Sequence, residues 1–279
     1  MPLFSSLSSK QKKFLEKTAQ EIRVKVIKMI AQAGSGHPAG SLGMADVLTA
    51  LYFQVMSYQP HNPNWDKRDY LILSNGHICP VLYAALAQAG FYDQKMLNKL
   101  RQINSPLEGH PHRNALPGIE TSSGPLGQGI SQAAGLALAL KIDQKNNHIF
   151  CLMSDGEQQE GQTWEAYQLI NKYQLDNLTV IIDRNNIQID GQTSAVMPLE
   201  PFEKKLSSFG FKTKTVDGHD FNQLVKNLEA AKNNGQPTAI IAQTVPGKGV
   251  SFMENDNNWH GKAPDQKQAA QAIKELTHD

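Results

Sequence analysis

The sequence predicts an α/β fold in which a mostly parallel central sheet carries helices on both faces. Short apolar segments rich in β-branched residues recur along the 279-residue chain, as is typical of buried parallel strands. Longer segments with apolar residues at helical spacing separate them. Most of the apolar segments run directly into polar, turn-forming residues. Strands and helices therefore alternate, which is the pattern of a parallel sheet covered on both sides.

The chain is predicted to begin with two helices. Ser8 or Ser9 is suited to cap the first, whose apolar residues keep helical spacing until Gly34 ends it. A glycine-rich loop follows, and Ser41 is predicted to cap a second helix that reaches Phe53.

Strands are predicted for five later segments, which are residues 69–74, 148–153, 178–183, 211–216 and 238–243. The fourth of these is the most polar and is expected to be the most exposed. Helical patterns cover residues 77–88, 127–141, 161–173, 220–232 and 265–276. Since no linker or internal repeat interrupts this order, residues 1–279 are expected to form a single domain.

Composition excludes several classes of protein. Lysine and arginine number 27 against 26 acidic residues, and this balance argues against nucleic-acid or polybasic membrane binding. No apolar stretch is long enough to span a bilayer, and residues 1–9 lack the charged start of a signal peptide. Because Cys79 and Cys151 show no metal or redox spacing, a reducing cytoplasm is the expected location.

Two polar pairs follow neighbouring predicted strands. Asp155-Gly156 comes after the second strand and Asn185-Asn186 after the third, with 28 residues between Gly156 and Asn185. That length accommodates a turn, a helix and a strand, which would bring Asp155 and Asn185 side by side at the carboxyl edge of the sheet. A carboxylate and an amide oxygen suit Mg²⁺ with phosphate oxygens completing its shell. The alternative is that both pairs are ordinary turns.

Four of the nine histidines stand next to glycine in predicted loops: His37, His77, His110 and His260. A single such histidine is usually structural or merely exposed, whereas four together indicate a site that moves protons or donates to oxygen anions. A second glycine-rich turn, residues 124–129, opens a predicted helix. This turn either only separates a loop from a helix or is a place where the backbone approaches a cofactor closely.

In combination, these motifs resemble the N-terminal, thiamine diphosphate-binding domain of transketolase. The Asp155 to Asn185 spacing is similar to the thiamine diphosphate motif, with Ser154 where the family pattern has glycine. Further segments that carry the resemblance are residues 34–40, 74–77, 109–111, 116–129 and 259–261. The matches extend from about residue 10 to residue 264, which is nearly the whole chain.

The resemblance implies a role for each matching position. Mg²⁺ or Ca²⁺ would be held by the side chains of Asp155 and Asn185 and by the backbone oxygen of Ile187. The diphosphate would be contacted by Gly156, His77 and His260. The aminopyrimidine side of the cofactor would be lined by Gly124, Pro125 and Leu126. Sugar hydroxyls and their protons would be handled by His37, His110 and His260. Glu160 matches a glutamate that the family places at its subunit interface.

The implied activity is transfer of a two-carbon ketol unit from a ketose phosphate to an aldose phosphate, as in the pentose phosphate pathway. The family's pyrimidine-binding domain, which carries the cofactor-activating glutamate, and its C-terminal domain have no counterpart in this sequence. The resemblance therefore implies the N-terminal subunit of a split transketolase. Such a subunit would be active only with a separate C-terminal partner subunit, and an α₂β₂ heterotetramer is expected.

Two other functions remain open at this level. One is a subunit of another thiamine diphosphate-dependent enzyme, such as a deoxyxylulose-phosphate synthase or a transketolase for an unusual sugar. The glycine-flanked segments around His110 and His260 favour the transketolase side. The other is a non-catalytic cofactor-binding domain, which the intact Asp155, Asn185 and histidine set argues against.

Overall fold

A five-stranded parallel sheet forms the centre of the computed structural model, which describes residues 6–277. The strands, in chain order, are β1 (Tyr70–Leu73), β2 (Ile149–Ser154), β3 (Leu178–Arg184), β4 (Ile187–Gln188), β5 (Gly191–Gln192), β6 (Lys212–Asp217) and β7 (Thr238–Gln243). The main sheet has the order β1-β2-β3-β7-β6, and each neighbouring pair is parallel. β4 and β5 form a small antiparallel hairpin. The predicted parallel α/β fold is confirmed. Of residues 1–9, which were considered as a signal peptide, residues 1–5 lie outside the described part of the chain.

The helices pack on both faces of this sheet. They are α1 (Ser9–Ala33), α2 (Pro38–Gly43), α3 (Ala45–Ala50), α4 (Cys79–Gln88), α5 (Gly129–Ile142), α6 (Gly161–Lys172), α7 (Thr193–Val196), α8 (Phe202–Ser208), α9 (Phe221–Lys232) and α10 (Gln266–Thr277). One core combines buried residues of α1, α3, α4, α9 and α10, and the other combines those of α5, α6 and α8. Along β2 the side chains alternate between the two cores, with Phe150 and Leu152 in the first and Cys151 and Met153 in the second.

The central strands are buried along their whole length, whereas the edge strand β6 is not. All residues of β2 and β3 are buried, as parallel strands covered on both faces must be. In β6 only Val216 is buried, so the expectation of a more exposed fourth main strand is confirmed.

The predicted start and end of the first helix are confirmed. Ser8 caps α1 by accepting a hydrogen bond from the Gln11 N–H, and the Gln11 side chain accepts one from the Ser8 N–H. Gly34 ends the helix with a φ of 65°, a left-handed conformation that glycine adopts without strain.

The prediction that Ser41 caps the second helix is wrong. Ser41 lies inside α2, and its hydroxyl donates to the His37 carbonyl oxygen at 2.7 Å. The helix begins earlier because Pro38 is pre-set for the first helical position. A break at Met44 then separates α2 from α3, which continues into a wider π turn over Leu51–Val55.

Sequence reasoning missed the shortest elements. The helix α8 and the β4–β5 hairpin contain too few residues to show a periodic pattern. The hairpin begins at Ile187, a predicted metal ligand.

Within residues 6–277, no helix combines the length and apolarity that a membrane crossing requires.

Candidate functional site

The loops after β2 and β3 lie side by side at the carboxyl edge of the sheet. Ser154 pairs with Asp183 in register, and the Asp155 N–H donates to the Asp183 carbonyl oxygen at 3.1 Å. Asn185 begins the turn that leaves β3. The predicted juxtaposition of Asp155 and Asn185 is therefore present, because adjacent parallel strands deliver their carboxyl ends to one edge.

Asp155 is a buried carboxylate, 1% exposed, with several donors around it. Its Oδ2 accepts hydrogen bonds from the Asn186 N–H at 2.8 Å and from Arg184 Nη1 at 3.0 Å, with the Thr193 hydroxyl at 3.4 Å. Its Oδ1 accepts one from the Gly156 N–H at 2.8 Å. In this arrangement the Gly156 amide serves Asp155, and its contact with a phosphate stays a prediction.

A tight turn holds the other two predicted metal ligands. Asn185 Nδ2 donates to Asp183 Oδ2 at 2.8 Å, and Asn185 Oδ1 accepts the Ile187 N–H at 3.0 Å. Asn186, between Asn185 and Ile187, has a φ of 63°, a left-handed backbone conformation that is typical of turns. Asn185 and Ile187 thus flank Asn186, whose N–H donates to the Asp155 carboxylate.

Burial dominates the acid–base behaviour of this edge. It raises the pKa of Asp155, against the hydrogen bonds from Asn186 and Gly156 and the charge of Arg184. Burial and the charge of Asp155 together raise the pKa of Asp183 to about 7, against hydrogen bonds from the Thr244 hydroxyl and the Asn185 side chain. The hydrogen bond from the Asn186 N–H is the largest effect that opposes the burial of Asp155, and the charge of Arg184 is the next.

The four glycine-flanked histidines converge on one cluster. The ring centroid of His37 lies 5.2 Å from that of His77, 5.6 Å from that of His260 and 6.4 Å from that of His110. The rings of His77 and His260 are 5.2 Å apart. Residues from four separate loops therefore meet at one place, as the predicted site requires.

The histidines of this cluster are held neutral at physiological pH. Burial, with smaller contributions from the neighbouring His260, Arg101 and His110, lowers the pKa of His37 to about 4. Burial also lowers the pKa of His77 well below its usual value, and lowers the pKa of His110 and His260. A neutral imidazole offers one nitrogen as acceptor and one as donor, so each ring can both accept and donate a hydrogen bond.

The loop with Gly124, Pro125 and Leu126 runs beside this cluster. A Cβ atom at Gly124 would lie 3.6 Å from the His110 ring, so the backbone itself lines the site. The Leu126 carbonyl oxygen accepts a hydrogen bond from Gln162 Nε2 at 2.7 Å, which ties the loop to α6. The predicted cofactor-lining loop and the histidines thus share one surface.

Glu160 lies close to the same loop. A Cβ atom at Gly127, whose φ is +78°, would lie 2.9 Å from the Glu160 Cβ. The Glu160 side chain is exposed. This position suits a residue that faces another chain, although its interface role stays a prediction.

Five of the eight unpartnered buried polar atoms found within the described residues belong to the loops of the site or to Arg101, which links two of them. They include His37 Nδ1, both polar side-chain atoms of Asn75, Arg101 Nε and Ser123 Oγ. Asn75 is fully buried and lies two residues before His77. Buried groups without hydrogen bonds are costly, and a polar ligand in the site would satisfy them. This feature fits a polar cofactor.

The donor set beside Asp155 fits a hard cation. Carboxylate, amide and backbone oxygens are the ligands that Mg²⁺ and Ca²⁺ prefer. In the described part of the chain, no group of three or more His, Cys, Asp or Glu side chains is arranged to hold a metal ion. A cation at Asp155 would therefore need the Asn185 and Ile187 oxygens and, to fill its shell, oxygens of the cofactor.

Glu157 is a buried residue between the loops of the site that sequence reasoning missed. It is fully buried, and its Oε1 accepts hydrogen bonds from the Ser74 hydroxyl and from the Gly127 N–H at 2.6 Å. Its Oε2 accepts one from the Ser154 N–H at 3.2 Å. Burial raises the pKa of Glu157. One carboxyl group thus joins three loops of the site, and its place directly after Asp155-Gly156 was the available signal.

Arg101 was also missed, and no sequence pattern indicates it. Its guanidinium donates to Ser35 Oγ at 3.2 Å and to the Gly109 carbonyl oxygen at 3.4 Å. Ser35 and Gly109 belong to the loops of His37 and His110, respectively. Arg101 therefore links two histidine loops that are far apart in the chain.

The fold and this site define a cofactor-binding domain of an α/β enzyme, with its ligand groups at the carboxyl edge of a parallel sheet. The family model described as transketolase, thiamine diphosphate binding domain, matches residues 15–279. The chain belongs to this family of transketolase-type transferases. The resemblance inferred from the sequence motifs is confirmed.

Two similar proteins have nearly the same extent as this chain. The 6-deoxy-6-sulfo-D-fructose transketolase subunit SqwG of Clostridium sp. (strain MSTE9) is 40% identical over 96% of this chain and 98% of its own length. An apulose-4-phosphate transketolase subunit of Phocaeicola vulgatus is 37% identical over 94% of both chains.

Longer transketolases share the same domain. The human transketolase is 38% identical over 94% of this chain, which corresponds to 42% of the human protein. The crystal structure of Campylobacter jejuni transketolase superposes with a TM-score of 0.90 at 35% identity, covering 95% of this chain and 43% of that one. The chain thus spans less than half the length of these relatives.

Proposed function

We propose that this chain is the N-terminal subunit of a two-chain transketolase that transfers a ketol unit between sugar phosphates. The observation that carries the proposal is the meeting of four histidines from separate loops in a fold whose adjacent parallel strands β1, β2 and β3 are followed by His77, Asp155 and Asn185. The chemistry supplied by bound thiamine diphosphate is the stabilisation of a carbanion equivalent. The protein supplies binding, orientation and proton transfer.

The proposed roles divide the site into two halves. At the sheet edge, a divalent cation, Mg²⁺ or Ca²⁺, would be held by Asp155, Asn185 and the Ile187 carbonyl oxygen. The diphosphate would lie against His77, Gly156 and His260. The aminopyrimidine would pack on the loop of Gly124, Pro125 and Leu126. The sugar hydroxyls would be met by His37, His110 and His260, and Glu160 would face the partner chain.

Proton handling follows from the pKa values of the cluster. Because the pKa of His37 lies near 4, its imidazole is neutral at pH 7 and keeps a ring nitrogen free to accept a hydrogen bond from a substrate hydroxyl. The neighbouring rings of His77 and His260, at 5.2 and 5.6 Å, are close enough for one substrate to contact more than one of them. Their low basicity also avoids a repulsive cluster of positive charges.

The names of two relatives support a separate C-terminal partner. Both relatives of nearly the same length as this chain carry the word subunit in their names. The partner subunit would supply the pyrimidine-binding domain and the remaining contacts to sugar phosphate in an α₂β₂ assembly. Cys79 and Cys151 are unpaired and buried, which supports a reducing compartment such as the cytoplasm.

The names of two relatives favour a second candidate, a transketolase for an unusual sugar. SqwG is named for 6-deoxy-6-sulfo-D-fructose, and the Phocaeicola protein is named for apulose-4-phosphate. A substrate outside the common pentose phosphate pathway is therefore a specific alternative. Kinetic comparison of these sugars with xylulose 5-phosphate as donors would separate the two candidates.

The test of the proposed function is calorimetric titration of thiamine diphosphate with Mg²⁺ into this chain, by itself and mixed with the candidate C-terminal chain. Asp155→Ala removes the metal carboxylate, and Asp190→Ala is the control because Asp190 is exposed on the neighbouring hairpin. We expect cation-dependent binding that is lost in Asp155→Ala and kept in Asp190→Ala. Ketol transfer should appear only after mixing.

Two results would contradict the proposal. Robust ketol transfer by the isolated chain would exclude the need for a partner. No cofactor binding by the mixed subunits would remove the transketolase function and leave only the fold.

A further inference from the structure

Arg184 places a positive charge directly on the carboxylate of the proposed metal site. It is the last residue of β3, and its side chain is 11% exposed. Its Nη1 donates to Asp155 Oδ2 at 3.0 Å, and its Nη2 donates to Glu200 Oε1 at 3.1 Å. The guanidinium is permanently charged, so this part of the site carries a cation at every physiological pH.

The contact with Asp155 is the stronger of the two ion pairs. The Asp155 side chain is 1% exposed, whereas that of Glu200 is 67% exposed and is screened by water. Glu200 also accepts the Phe202 N–H at the start of α8, so it has a structural task of its own. The charge of Arg184 therefore acts mainly on the buried Asp155 and less on the exposed Glu200.

A divalent cation bound at Asp155 would share that single carboxylate with Arg184. The two positive charges would lie well within a Debye length of each other and would be largely shielded from water. Their repulsion weakens binding of a cation alone. A diphosphate group reverses the balance, because its negative charges attract both the cation and the guanidinium.

We propose that Arg184 makes cation binding at Asp155 depend on the diphosphate, so that the cation and the cofactor bind as a cooperative pair. This inference rests on the proposed function, which makes Asp155 a metal ligand. By reciprocity, the same residue makes cofactor binding depend on the cation to an equal degree. Arg184 is thus a positioning and specificity residue for the loaded site.

The test measures Mn²⁺ binding to the full chain by electron paramagnetic resonance, without and with saturating thiamine diphosphate. In Arg184→Gln, we expect Mn²⁺ alone to bind about tenfold more tightly than in the wild-type chain, because the repulsive charge is gone. The increase in Mn²⁺ affinity that the cofactor produces should shrink in the same variant. Arg184→Lys keeps the charge without the two-pronged geometry and should resemble the wild-type chain.

Two control variants complete the design. Arg68→Gln removes another partly buried arginine, paired with Glu120 away from Asp155, and should leave Mn²⁺ binding unchanged. Asp155→Ala should abolish Mn²⁺ binding. Equal cofactor-free Mn²⁺ affinity in Arg184→Gln and the wild-type chain, with normal binding when cofactor is present, would overturn this inference alone. No Mn²⁺ binding to the wild-type chain with cofactor present, both by itself and after mixing with the candidate C-terminal chain, would overturn the proposed function and this inference with it.

Discussion

Glu157 shows how much of the site depends on one buried side chain. Its carboxyl group accepts hydrogen bonds from Ser74, Gly127 and Ser154. Ser74 follows β1, Gly127 precedes α5 and Ser154 is the last residue of β2. A charged or polar group inside a protein is stable only when such partners are present. Glu157 therefore fixes the spacing between the loops that carry His77, Gly124 and Asp155.

Glu157→Ala should destabilise the chain by about 3 kcal/mol or more, because three buried donors lose their acceptor. Glu157→Gln keeps an acceptor oxygen and should cost less. Urea unfolding of both variants measures the free energies of unfolding, with the exposed Glu16→Ala as control. A cost below about 1 kcal/mol for Glu157→Ala would show that water replaces the carboxylate easily.

At the scale of elements, the loops of the site touch each other through glycine. A Cβ atom at Gly76 would lie 2.5 Å from Ser123 Oγ and 2.9 Å from the Ser123 carbonyl carbon. The short helical turn that carries His77 can therefore meet the loop of Gly124 only when residue 76 has no side chain. This close contact explains why glycine stands next to His77 in the sequence.

Gly76→Ala should destabilise the chain by about 1–3 kcal/mol and weaken thiamine diphosphate binding, because the added methyl group collides with backbone. Gly135→Ala is a matched control, since a Cβ atom at Gly135 on α5 meets nothing within 4 Å. Alanine there should stabilise the helix by about 0.5–1 kcal/mol. Thermal unfolding and calorimetric titration of the two variants check both effects, and equal behaviour of the pair would refute the close-contact argument.

At the scale of the whole molecule, the two ends of the sheet have different tasks. The carboxyl edge carries the histidines and Asp155, while the amino edge is held by structural contacts. There His148 contacts the Thr179 hydroxyl at 2.8 Å through Nε2 and packs on Phe150. Burial lowers the pKa of His148 to about 4. Protonating His148 therefore opposes folding of the entire sheet.

The resulting pH dependence has a definite sign. The pKa of His148 is about 4 in the folded chain and about 6.5 when unfolded, so the unfolded chain binds more protons between these values. The contribution of His148 to the free energy of unfolding is present above pH 6.5 and is lost as the pH falls toward 4. The slope contributed is up to about 1.4 kcal/mol per pH unit.

His148→Gln should flatten the dependence of stability on pH by this amount. Urea unfolding between pH 4 and 7.5 measures it, and His61→Gln, which changes an exposed histidine, is the control. His37 has a similar pKa and keeps part of the slope in either variant. Parallel curves for His148→Gln and the wild-type chain would contradict the assignment.

Local patterns predicted most of the elements and the centre of the site. The five main strands lie within one residue of their predicted bounds, since each is a short apolar run that the next polar residues end. Asp155 and Asn185 were paired correctly because a crossover of that length returns to an adjacent parallel strand. Ser41 was misassigned because Pro38 starts α2 three residues earlier. α8 was missed because seven residues show no clear periodicity.

The sequence by itself determined the class of fold, the family and which chemical groups the site contains, because these follow from periodicity and from motifs along the chain. Only the tertiary structure decided how those groups are tuned. The low pKa of His37, the three-loop role of Glu157 and the contact of Arg184 with Asp155 depend on burial and on partners distant in sequence. Desolvation and short-range charge interactions act through space, and the linear order of residues does not encode those distances.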